Sequence, residues 1–200
     1  MSPSTRVSRS THADNRGRQI LAAAASLFAR FGYDGTSVRD IAARARIRPA
    51  SVYYHFPSKA DLLVAVLEEG VDVLNRRVRD ALAPEHEPWR RLEAACVAHM
   101  ETLLEGNDYV RVLSAEIPAR RAETLRGQLV VHRDRYEDVF RNLVNDLPVA
   151  PHVDRKVLRL TLLGAIAWSM FWYQPDGDSP TEIARQMVRL IREPVEAGRP

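Results

Sequence analysis

Apolar positions recur every three or four residues along nearly the whole chain, and nowhere do they alternate with polar ones as a strand requires. The fold class this predicts is all-α. One stripe, Ile20, Ala24, Leu27, Phe28 and Phe31, marks a first helix; Val38, Ile41, Ala42 and Ala45 mark a short second one. A third begins near Pro49 and packs inward through Val52 and Phe56. Proline suits that start, because it fixes φ, lacks an N–H that the first turn leaves unpaired, and pushes Arg48 out of the helical region. Leu62, Leu63, Val66, Leu67, Val71, Leu74, Val78 and Leu82 predict a connector helix from about Asp61 to Leu82, closed by Pro84 and Pro88. Further helices are expected from about Trp89 to Leu104, around Tyr109 to Ala115, from near Pro118 to Leu147, from about Val153 to Tyr173, and from Thr181 to Arg192. The segment from Val157 to Tyr173 is apolar nearly all round and should be buried on several sides.

Around the second and third helices the signals are local and chemical. Ser37 with Asp40, and Ser58 with Asp61, have capping-box spacing. Two helices of about two turns joined by three or four residues have the spacing of a helix-turn-helix. Its second helix leaves Arg48, Pro49, Ala50, Ser51, Tyr53, Tyr54 and His55 on its tip and outer face: a cation, hydroxyls, an imidazole and small groups able to touch a thymine methyl. Lys59 stands at the N-terminus of the following helix, where backbone N–H groups and a cation together suit a phosphate. Residues 1–60 hold ten Lys+Arg against three Asp+Glu, net +7, while the other 140 hold nineteen against twenty-three, net −4. A basic head on a mildly acidic body points to a polyanionic partner for the head; without the helix-turn-helix, a solvated face would be the better reading.

These residues resemble the DNA-binding domain of the TetR family of transcriptional regulators. The likeness runs through Gln19–Thr36, ending in Phe-Gly-Tyr-Asp-Gly-Thr, across the helix-turn-helix, and on through Phe56–Leu63. Two positions depart from the family pattern: Arg46 stands where glycine is usual at the turn, which puts an arginine at positive φ, and Arg48 stands where serine often caps the recognition helix. Residues 1–13 read as a disordered basic arm, and the resemblance implies a helix-turn-helix domain over 14–60 and a helical ligand-binding and dimerisation domain over 61–200. It implies that Arg39, Arg48, Pro49, Ala50 and Ser51 face base edges, that Tyr53, Tyr54, His55 and Lys59 hold phosphates, and that Ser37 is a further contact. It also implies a homodimer on a pseudo-palindromic double-stranded operator, with repression relieved by a small hydrophobic effector.

For the dimer, the expected contacts are the helices at 153–173 and 181–192, with Gly164, Ala165 and Ala167 allowing close approach; the alternative is that 153–173 is a core helix of one chain. For the effector, Trp168–Gly177 resembles a segment of the acyl-CoA-responsive members of the family, as do Arg133, Arg135, Tyr136 and Phe140. A CoA thioester needs an apolar slot and cations for its phosphates. Met100, Leu103, Phe140, Trp168, Phe171 and Trp172 are candidates for the slot, and Arg120, Arg121, Arg133 and Arg135 for the phosphates. Equally open is that the tryptophans pack a core or dimer face, the arginines are solvated, and the effector is another hydrophobic molecule.

Other chemistry finds little support. Cys96 is alone, so no intramolecular disulfide is available, and its place on a stripe with Leu92, Met100 and Leu103 favours a buried structural thiol. The first residues hold no apolar leader segment, and the run from Leu160 to Tyr173 is too short to span a bilayer, so a cytoplasmic protein without membrane contact is expected. No glycine-rich phosphate loop, nucleophile elbow or paired metal-ligand spacing is present, and neither an enzyme nor a cofactor is expected. A DNA-binding module without ligand control is the alternative function; the some 140 residues beyond the head argue against it.

Overall fold

The structure is a computed structural model that describes residues 5–116 and 136–197, with side chains over 15–114 and 136–193. Every described element is a helix: α1 (Thr5–Phe31), α2 (Val38–Arg44), α3 (Pro49–His55), α4 (Lys59–Leu82), α5 (Pro88–Leu104), α6 (Asp108–Glu116), α7 (136–145), α8 (Arg155–Trp172) and α9 (Pro180–Ala197). Residues 5–13 continue α1 and do not form the disordered arm expected over 1–13. Extending a helix already packed at its far end needs no new nucleus, so a polar stretch of ordinary propensity adds on.

Ile20, Ala24 and Phe28 of α1 are buried as their spacing predicts, but Phe31 is exposed, with the Arg30 guanidinium 5.0 Å from its ring centroid. The spine is α4. Leu62, Leu63, Val66, Leu67, Val71, Leu74 and Val78 form its buried side, and it lies against α1, α5 and α6. At Gly70 the crossing with α6 is so close that a Cβ would stand 2.8 Å from the Tyr109 carbonyl oxygen. Helix α6 touches α1 as well as α4, so this short segment is more than a link and joins head to body. Helix α5 packs on α4, α8 and α9. One continuous core runs from Ile20 in α1 to Val188 in α9.

The inner face of α8 is Leu158, Arg159, Leu162, Ile166 and Ser169. Arg159 is buried and donates from Nη1 to Glu137 Oε2 of α7 at 2.7 Å. Arg155 caps the C-terminal end of α7 through the Val144 and Leu147 carbonyls. The opposite face of α8 is uncovered: Val157, Leu160, Trp168, Phe171 and Trp172 are all exposed, as is Leu190 of α9. Burial of the 157–173 segment on several sides is therefore not achieved within one chain. No described helix is long and apolar enough to cross a membrane.

Candidate nucleic-acid interface and interior site

The head is held by caps the sequence announces. Ser37 is the N-cap of α2 in a full capping box: its hydroxyl accepts from the Asp40 N–H at 3.2 Å while Asp40 Oδ2 accepts from the Ser37 N–H at 2.9 Å. The Ser37 hydroxyl also donates to Asp40 Oδ2, and this bond, with that from the Ser37 N–H, favours the ionised carboxyl and lowers the pKa of Asp40. Helix α2 ends with Arg46 at φ 53°, its N–H donating to the Ala43 carbonyl and that of Ile47 to the Ala42 carbonyl at 2.9 Å. This pair of bonds is the Schellman closure, which needs a left-handed residue after the cap; arginine fills it at a cost of roughly 1–2 kcal/mol relative to glycine. Arg48 then enters α3 in extended conformation without a side-chain cap bond, and Pro49 takes the first turn.

Val52 is 1% exposed and fixes which way α3 faces. Arg48, Pro49 and Ala50 at its tip are exposed, Ser51 and His55 are half-buried, and Tyr53 and Tyr54 stand out at 53% and 84%. Arg39 on α2 is exposed too. The expected readers are thus accessible or half-accessible, and those of α3 include a small-residue helix tip.

Lys59, expected to hold a phosphate, has partners within the chain. Its ammonium donates to the Tyr33 and Thr36 carbonyls, each at 2.9 Å, and lies 4.1 Å from the Tyr33 ring centroid. Two of its three protons therefore tie the start of α4 to the chain leaving α1. Thr36 extends that tie, its hydroxyl donating to the Gly32 carbonyl at 2.9 Å. Sequence reasoning also missed Gln19, whose amide donates to the Ala45 carbonyl, and Arg44, which bonds Ser26. Arg16 and Arg18 are exposed on α1, and a Cβ at Gly17 between them would lie 3.7 Å from His55 Nδ1. The helical run upstream of Gln19 is the signal that would have placed these cations beside α3.

The candidate effector residues divide. Met100, Leu103, Tyr136 and Phe140 are buried together between α5 and α7, around His99, with which the rings of Tyr136 and Phe140 lie at 5.3 and 5.9 Å. Desolvation lowers the pKa of His99 to about 4 and raises that of Tyr136 well above its ordinary value, so both are neutral near pH 7. Cys96 is buried beside them, its thiol pKa raised by desolvation and by Glu93. Trp168, Phe171 and Trp172 do not join this interior: they are 63%, 74% and 44% exposed, and the first two rings stack at 4.6 Å on the outside of α8. Arg120, Arg121, Arg133 and Arg135 lie outside the described residues. A cleft of about 490 Å³ between α4, α5 and α9 has a mixed lining, with Ala81, Ala94, Val97 and Ala98 beside charged side chains that include Arg90, Arg185 and Arg192.

Comparison with known proteins gives matches at both ends of the chain. Residues 20–66 match the family model of bacterial regulatory proteins of the tetR family, and residues 85–195 match that of the tetracyclin repressor-like C-terminal domain. The HTH-type transcriptional repressor KstR2 of Mycobacterium tuberculosis is 26% identical over 184 residues, spanning 89% of this chain and 92% of that one. The HTH-type transcriptional activator FasR of Mycolicibacterium smegmatis is 37% identical over 106 residues, 48% of each. Among solved structures, AibR in complex with isovaleryl coenzyme A and operator DNA aligns with a TM-score of 0.77 at 29% identity, covering 88% of this chain and 97% of that one.

Proposed function

We propose a function from one premise: the chain belongs to the TetR family of bacterial transcriptional regulators. On that premise it is a repressor that binds a pseudo-palindromic operator as a homodimer and leaves it when an acyl-CoA thioester binds the helical body. The observation that carries the reading is the exposed face of α3, where Arg48 to Ser51 form a slim tip on a helix oriented by buried Val52. Arg39 and Arg48 suit base edges, and Tyr53, Tyr54 and His55 suit phosphates.

The uncovered face of α8 supports the homodimer. Val157, Thr161, Gly164, Trp168 and Phe171 are exposed at alternating spacings of four and three, the pattern of a helix-packing seam. A Cβ at Gly164 would meet nothing within 4 Å, so a second helix has room to approach its backbone. Leu190 of α9 extends the same kind of surface. Two heads joined there would meet successive major grooves about 34–36 Å apart.

The acyl-CoA effector is supported by AibR, a neighbour solved with isovaleryl coenzyme A and operator DNA, and by the apolar interior between α5 and α7. An effector seated against Met100, Leu103 and Phe140 would bias α4 through its contacts with α5 and α6, and so change the separation of the heads. The test is a DNA-release titration on a duplex selected from a random pool, with free CoA, isovaleryl-CoA, longer acyl-CoAs and the matching free acids. Release by thioesters alone is expected. Release by free acids or unrelated hydrophobes, with none by any thioester, would contradict the effector reading.

A further inference from the structure

Among the described residues four buried side-chain polar atoms have no hydrogen-bond partner, Trp89 Nε1, Arg91 Nε, His99 Nδ1 and the phenolic oxygen of Tyr136, and the last two belong to rings in contact. They come from facing helices, α5 and α7, on rings set edge to face at 5.3 Å and 88°, with Phe140 against both. Each residue is 8% exposed. Buried polar side chains are nearly always bonded, so a pair left open in one place calls for an explanation. The neighbouring hydroxyls differ, since Thr102 donates to the Ala98 carbonyl and Ser169 to the Ile166 carbonyl, both within their own helices.

We infer that His99 and Tyr136 together receive one neutral carbonyl oxygen of the effector, an inference that rests on the acyl-thioester reading above. A carbonyl oxygen has two lone pairs and asks for no donor in return, which matches a phenol O–H and an imidazole N–H on rings packed edge to face from two helices. Burial keeps the imidazole uncharged and the phenol protonated, so the pair supplies dipoles and no counter-charge. An ionised carboxylate would enter such a site unpaired, whereas a thioester carbonyl would not. The arrangement therefore favours the thioester over the free acid of the same chain. In the sequence Arg133 and Arg135 lie just before Tyr136, so one stretch holds both the carbonyl donor and the cations proposed for the phosphates.

Calorimetric titration of the full chain with isovaleryl-CoA, and with the thioether in which a methylene replaces its carbonyl, tests this. Wild type should prefer the thioester about 10- to 30-fold, the worth of one or two hydrogen bonds in a dry site. Tyr136→Phe should lose most of that preference by weakening the thioester about 10-fold while leaving the thioether unchanged. The free Tyr136→Phe protein should melt at the same or a higher temperature than wild type, because it no longer buries an unbonded hydroxyl. His99→Phe should reduce the preference too, giving a second reading if one variant fails to fold. Equal weakening of both ligands would mean packing alone, and unchanged discrimination would mean that a trapped water takes the two bonds; either result overturns the inference. A wild-type chain that binds neither compound contradicts the effector reading itself, and the inference falls with it.

Discussion

The head and the body invert each other's chemistry. In the head, polar groups lie outside and the structural ones are bonded: Ser37 with Asp40, Gln19 with the Ala45 carbonyl, Lys59 with two carbonyls of the α1 exit. In the body, rings lie outside on α8, at Trp168 and Phe171, while His99 and Tyr136 lie inside without partners. A surface meant for a polyanion is finished when its side chains are exposed and its frame is rigid. Under the proposed function, the α8 face and the α5–α7 interior look unfinished in the lone protein because a second chain and an effector would supply the missing contacts.

The largest effect should come from the exposed seam. Gly164→Arg places a long cation where two α8 helices are proposed to meet, and nothing in the single chain obstructs it. Sedimentation velocity should show the dimer replaced by monomer, with the helical circular dichroism signal retained, since glycine is the poorer helix former by about 1 kcal/mol. A dimer that survives this change would move the interface elsewhere.

Next is the pH response of the interior. The pKa of His99 falls from 6.5 to about 4 on folding. Below pH 6.5 the unfolded chain takes up a proton that the folded one refuses, so stability drops as pH falls from about 6.5 to about 4. The loss should be about 3 kcal/mol in urea unfolding, and His99→Phe should abolish that part of the slope. Asp40, whose pKa is lowered by Ser37, adds a loss only as pH falls through the carboxylate range. An identical slope in wild type and His99→Phe would mean that the imidazole is not held neutral by burial.

Smaller again is the crossing that joins the regions. Gly70→Ala would bring a methyl group to 2.8 Å from the Tyr109 carbonyl oxygen, a backbone atom that cannot swing aside. Overpacking of this kind costs roughly 1–3 kcal/mol, read as a lower urea midpoint. It should also alter DNA affinity without touching the head, because α6 contacts both α4 and α1.

The smallest effects separate readers from struts within the head. Arg48→Ala should leave the melting temperature unchanged and relax preference at one base position by roughly 1–3 kcal/mol in competition binding. Lys59→Ala should instead lower stability by about 1 kcal/mol, the worth of its bonds to the Tyr33 and Thr36 carbonyls, with sequence preference retained. Unchanged stability, with every duplex bound more weakly by the same factor, would restore Lys59 as a pure phosphate contact.

The same contrast separates what was legible in the sequence from what was not. Ser37 and Ser58 act through bonds to residues three positions away, and Pro49 through its own fixed φ, so both short helices of the head and the start of α4 could be placed from spacing alone. Arg46 at positive φ was readable from the family resemblance, because glycine is usual at that position of the turn. Lys59 was not, since its partners lie 23 and 26 residues back. In the body the stripe of α4 was plain, but an apolar residue on α8 reads the same whether it faces the core, like Ile166, or solvent, like Phe171. Arg159 looked like any surface cation until Glu137 and α7 enclosed it.

The proposed function requires that two chains, joined through α8, read one duplex through two α3 tips. Sedimentation velocity of the full chain on a labelled duplex selected from a random pool tests that requirement, with a scrambled duplex of equal length as the control. The expected outcome is an inverted repeat occupied by two chains, and a scrambled duplex bound only weakly at physiological salt. One chain per duplex, or equal binding to both sequences, would contradict it.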